Sequence, residues 1–171
     1  MTTVDAGVAR QQHWSALLMG VSYAVAGVGF FLTGLLDPPS LEWAVLLGVG
    51  GPTVAGFVRH VLLWRGDSAR LGFATPDPSW MWEVGFANLA IAVAAVLTGL
   101  LDWGVGAQVA VLVTMGTYMA GATLVHVLDR RRKGAAYTRN PLLSIGMPLV
   151  YAAVLFWMAV WGLSSAGLAP M

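Results

Sequence analysis

Five apolar stretches decide what this chain can fold into. They lie at about residues 14–36, 41–64, 82–101, 104–128 and 142–164. Each is long enough to cross ~30 Å of hydrocarbon at 1.5 Å per residue. Only 10% of the residues are charged and 58% are apolar, whereas soluble domains carry about 25% charged residues. A chain of 171 residues therefore has room for five spans and short loops, and for no sizeable soluble domain. The predicted fold is an all-α integral membrane bundle of five transmembrane helices, forming a single transmembrane domain over residues 1–171. The polar N-terminus runs through Gln12, and the apolar run after it is longer than a signal-peptide core of 7–15 residues. The first helix is thus expected to be retained.

The breaks between the spans have chemical causes. Pro38 and Pro39 cannot donate a backbone N–H, so Asp37-Pro38-Pro39-Ser40 ends the first helix. Residues 65–80 bring together Arg65, Asp67, Arg70, Pro76, Asp77 and Pro78. Asp102-Trp103-Gly104 reads as a tight turn. The segment 129–141 holds the charged run Asp129 to Lys133, then Arg139-Asn140-Pro141. Pro52 and Pro148 fall inside the second and fifth spans, where kinks are expected.

Orientation follows from the basic residues. The turns near 37–42 and 101–106 contain Asp37, Glu42 and Asp102 and no Lys or Arg, while all nine basic residues fall on the other side. The expected location is the inner (cell) membrane, multi-pass, with the N-terminus cytoplasmic and the C-terminus outside. The eight tryptophans lie near predicted span ends, where an amphipathic ring is favoured.

The chain also repeats itself. Leu32-Thr33-Gly34-Leu35-Leu36-Asp37 recurs as Leu97-Thr98-Gly99-Leu100-Leu101-Asp102, and His60-Val61-Leu62 recurs as His126-Val127-Leu128. This predicts two tandem helical hairpins, about 14–64 and 82–128, in a parallel repeat about the membrane normal, with a fifth helix at 142–164 outside it.

Ionisable residues near a membrane core are candidates for function. His60 and His126 fall near the cytoplasmic ends of helices 2 and 4, and Glu83 at the start of helix 3. These three form the candidate polar site, and they are the candidate metal ligands. Tyr23, Arg59, Asn88 and Met119 are secondary candidates. Tyr23 and Asn88 are repeat mates that could pair across the bundle centre. Asn88 lies about 140° round the helix from Glu83 at 100° per residue, so those two should not line one site directly. Met119 and Met115 share the face of His126, a stripe that could serve haem or copper, although Met more commonly fills irregular gaps. The competing reading makes His60, Glu83 and His126 interfacial groups bonded to water, loops and headgroups. The chain has no cysteine, which excludes disulfides, thiolate nucleophiles and cysteine metal sites.

No phosphate-binding glycine loop, nucleophile elbow or H-E-x-x-H motif is present. The short basic run 130–133 lies too close to the membrane for nucleic acid, and fits topology and anionic lipid instead. Glu83-Val84-Gly85-Phe86-Ala87-Asn88 opens one helix and His126 closes the next. This pattern resembles an uncharacterised group of small prokaryotic membrane proteins over residues 80–130. That group is distantly similar to the DoxX-like proteins, four-helix membrane modules some of which accompany quinone-linked or thiol-linked redox enzymes. The resemblance implies a redox association and no defined catalytic residue.

Three functions are in play. The first is an accessory component or subunit of a membrane, redox-linked complex. The second is a cofactor-bearing or enzymatic protein with a His/Glu site at the cytoplasmic face. The third is an oligomeric small-solute transporter. The expected partners are the lipid bilayer and either a membrane protein partner or further copies of the chain, with no nucleic acid. Cofactor, substrate and enzymatic status stay open at this level.

Overall fold

The structure, a computed structural model, describes residues 3–36, 40–73, 75–134 and 140–168. The Asp37-Pro38-Pro39 break and Arg139 lie outside the described residues. Among the described residues six helices follow one another: α1 Thr3–Leu35, α2 Ala44–Leu62, α3 Trp64–Arg70, α4 Ser79–Leu100, α5 Val105–Lys133 and α6 Leu142–Ser165. All but α3 are long and apolar enough to cross a membrane. Side chains such as Phe31, Leu100 and Val160 are exposed, as expected where lipid rather than water meets the outer face.

Two boundaries differ from those expected of the sequence. Helix α1 starts at Thr3 rather than near Trp14, because α3 packs along this polar first part and gives it tertiary support. Residues 65–80 contain the two-turn helix α3 instead of loop alone. Beside Pro52 and Pro148, where kinks are expected, the helices widen. Wide π-type turns run over Ala44–Gly50 and Leu142–Gly146, and Pro52 and Pro148 sit in the first turn of the α-helix that follows each. Proline removes the N–H that would bond the carbonyl four residues back and crowds that carbonyl. A widened turn moves the carbonyl aside. For Pro52 the carbonyl affected belongs to Gly48. The Tyr151 hydroxyl of α6 donates to it across the bundle.

The core is built where α2, α5 and α6 meet, around Val45, Val49, Leu112, Met115, Leu155 and Met158. Small residues set the approach of the helices. A Cβ on Gly29 of α1 would lie 2.6 Å from the Trp43 carbonyl oxygen and 2.7 Å from the Gly48 nitrogen, so glycine is needed for α1 to lie against α2. A Cβ on Gly56 of α2 would lie 2.8 Å from Asn88 Oδ1 of α4.

The contacts do not display the two-hairpin symmetry expected from the repeat. Helix α1 packs along α2, but α4 packs mainly on α2 and α5 mainly on α6, with little between α4 and α5. The helix ends do correspond, since α1 stops at Leu35 and α4 at Leu100, the same place in the repeated block. Local sequence sets where a helix stops, whereas packing decides its neighbours, and α5 takes α6 rather than α4 as its main one. After α4 the chain turns with Asp102 at φ 45° and Gly104 at φ 82°, the left-handed geometry that Asp and Gly tolerate best.

Candidate functional site

The last turn and a half of α2, Val58–Leu62, is again a wide π-type stretch, and it carries Arg59 and His60. The helix breaks at Leu63 (φ −111°, ψ 23°), and α3 turns back across the end of α1. Gly66 makes this docking tight, because a Cβ there would collide with the side chain and backbone of Gln11. The Gly66 N–H donates to Gln11 Oε1 at 3.1 Å. The consequence is that Asp67, beside Gly66, is driven into the interior with a fully buried side chain.

A buried carboxylate survives only if it is paired, and Asp67 is surrounded. Its Oδ1 accepts from Arg70 Nη2 at 2.8 Å and Nε at 3.2 Å, and from Arg59 Nε and Nη2 at 3.3 Å each. The Ser15 hydroxyl of α1 donates to the same oxygen. Arg70 Nε also reaches Ser15 Oγ at 3.1 Å. On the other side His60 Nδ1 lies 2.8 Å from Oδ2. With the carboxylate charged, Nδ1 is the ring nitrogen that must carry hydrogen, which leaves Nε2 for any other partner. Burial by itself would raise the carboxyl pKa. It is outweighed by the His60 contact and by the charges of Arg59 and Arg70, so Asp67 titrates well below the usual carboxylate range.

This cluster forms one wall of a cavity of about 490 Å³ that continues from α3 into the middle of the bundle. Arg59, His60 and Arg70 line one end, with Asn140 and Ser144. His126 lines it from α5, its ring stacked on Phe73 at 6.2 Å between centroids. Deeper lie Tyr23, Asn88, Tyr118 and Tyr151, and the two prolines Pro52 and Pro148. Asn88 donates to the Tyr118 hydroxyl at 3.2 Å and to the Val84 carbonyl at 2.8 Å. Tyr23 meets Tyr151 edge to face, 6.0 Å between centroids. Asn88 is thus bonded to Tyr118, and not to Tyr23, its mate in the sequence repeat.

Of the three main sequence candidates, His60 and His126 line the same cavity, while Glu83 is exposed and outside it. The reason is angular. Asn88 of α4 faces α2, and Glu83 lies on a different face of that helix. All four secondary candidates, Tyr23, Arg59, Asn88 and Met119, line the cavity. Among the described residues, no group of three or more His, Asp or Glu side chains is placed to hold a metal ion. The acid that does meet His60 is Asp67, which sequence reasoning passed over as a loop charge. Two signals were present: it is the one acid in Trp64–Arg70, and it follows a glycine. Neither points inward without knowledge of α3.

Residues 39–166 match the model of a family of unknown function, DUF6790, and the chain belongs to that family. The match carries no link to the DoxX-like proteins. No curated protein and no solved structure matches the chain.

Proposed function

We propose that this DUF6790 member is a ligand-binding membrane protein, whose bundle holds a small molecule in a cavity opening at the α2–α3 end. One observation carries the reading. The cavity is walled at one end by a buried, mutually bonded polar cluster, Asp67 with Arg59, His60 and Arg70, and is lined beyond it mainly by apolar and aromatic side chains. Small-molecule sites combine a concave, mostly apolar wall with a few convergent polar groups in this way. A volume of about 490 Å³ falls within the usual range for such sites. A polar cluster of this cost has no stabilising purpose a packed apolar end would not serve.

The basic residues gathered at that end support a cytoplasmic mouth for the cavity, with the N-terminus inside. The reading takes up the second of the sequence-based hypotheses, with Asp67 standing where Glu83 was expected. The redox-linked accessory role rested on the DoxX-like resemblance and has no other support.

The test is chemical. Wild-type protein and Ala122→Trp, which fills the cavity from α5, are purified in mild detergent. Each is denatured, and the released small molecules are compared by mass spectrometry and by optical spectrum. A compound released by wild type and absent from the variant is expected. Identical release from both would overturn the reading.

A further inference from the structure

The charge balance of the cavity wall points to the class of molecule it takes. Among the described residues two arginines and two histidines line the cavity, and no Asp or Glu does. Asp67 lies behind the arginines and neutralises one of them, so two guanidinium charges against one carboxylate leave a single positive charge facing the space. Arg59 contributes Nε and Nη2 to Asp67. Among the described residues no partner takes its Nη1. Both arginines keep some exposure, 12% for the Arg59 side chain and 20% for Arg70. A guanidinium held in place by a buried acid is oriented in advance, and its planar donors match a carboxylate.

The rest of the lining has different chemistry. Met115, Met119, Leu143 and Pro148 offer apolar surface, and Tyr23 and Tyr151 add aromatic rings. A wholly hydrophilic anion would leave this surface against water. A molecule with one anionic head and an apolar body satisfies both ends. We propose that the cavity binds a monoanionic amphiphile, specifically a carboxylate with an aliphatic or aromatic body, its head at Arg59 and Arg70 and its body toward Met115 and Tyr151. A dianionic phosphate would bring two charges against one. A neutral ligand would leave the positive charge of the arginine pair unbalanced and Arg59 Nη1 unmet, in a medium where unmet donors are costly. This assignment rests on the ligand-binding reading above and adds the sign of the charge to it.

The experiment uses the full chain in phosphatidylcholine nanodiscs, with three probes of one chain length: dodecanoate, methyl dodecanoate and dodecylammonium. Binding is read as the shift in thermal unfolding against probe concentration, with Ala122→Trp as the blocked control. Dodecanoate is expected to bind at least about tenfold more tightly than either of the others, the factor that ~1.4 kcal/mol supplies. Arg59→Gln should bring dodecanoate to the level of the ester without altering ester binding. If ester or amine binds as well as the acid, and Ala122→Trp abolishes binding, the charge assignment falls while the ligand-binding reading stands. If Ala122→Trp leaves every shift unchanged, both fall. The comparison of three probes on wild-type protein decides the matter even if Arg59→Gln fails to fold.

Discussion

His60 Nδ1 lies 2.8 Å from Asp67 Oδ2 across the joint between α2 and α3. These two residues tie the end of a spanning helix to a short helix that packs on α1. Around them the Arg59 and Arg70 side chains close on the other carboxylate oxygen. The contact does two things: it holds α3 in place, and it orients the basic wall of the cavity.

Removing the acid should therefore be expensive. Asp67→Ala leaves two guanidinium groups and an imidazole facing one another with no anion between them. Breaking a buried pair by deleting one partner costs about 3–5 kcal/mol. The thermal midpoint in detergent should drop sharply, and Asp67→Ala combined with Arg70→Gln should be less damaging than the sum of the two single changes. Additive losses would show that Asp67 and Arg70 act separately.

The pH dependence has a definite sign. Asp67, in α3 and outside the spanning segments, has a folded-state pKa held well below its ordinary value. Its contribution to stability is then fully present above the unfolded-state value, about 3.9, and is lost as pH falls toward the folded-state value. Wild-type protein should lose stability below about pH 4. Asp67→Asn, already destabilised, should show a shallower fall over that interval. Parallel curves for the two proteins would contradict the coupling.

Two glycines of similar appearance in sequence should respond in opposite ways. Gly66→Val drives a branched side chain into Gln11 of α1, and overpacking of this kind costs about 1–3 kcal/mol. Gly121 in α5 has nothing within 4 Å of an added Cβ, and Gly121→Ala should stabilise by about 0.5–1 kcal/mol through helix propensity. Differential scanning of the two variants in one detergent checks both signs.

Orientation can be read by labelling, since the native chain contains no cysteine. Single cysteines at the exposed positions Ser79 and Ser165 lie at opposite ends of the bundle. Ser165→Cys should react with an impermeant maleimide on intact cells, and Ser79→Cys only after permeabilisation. The reverse pattern would place the cavity mouth on the outer face.

Most of the helices were readable from hydropathy because membrane insertion is a local matter. About twenty apolar residues specify a span whatever lies elsewhere in the chain, and the spans expected at 41–64, 82–101, 104–128 and 142–164 correspond to α2, α4, α5 and α6. The cavity-lining roles of Arg59, Tyr23, Asn88 and Met119 were within reach too, as polar or soft side chains on otherwise apolar helices. What local reasoning could not supply was the partner of His60. Asp67 is seven positions further along, and it becomes buried only because α3 folds back onto α1 at Ser15, which is 52 positions from Asp67 and 55 from Arg70. The same holds for Glu83, which starts its helix near the level of His60 but is exposed and lies outside the cavity. Nor could repeated sequence predict the pairing of helices, since identical blocks such as Leu32–Leu36 and Leu97–Leu101 end helices whose neighbours differ. Helix existence is decided by the free energy of a segment in lipid, and the site by which faces meet, which depends on close approach at glycines such as Gly29, Gly56 and Gly66 and is settled only when the whole bundle has packed.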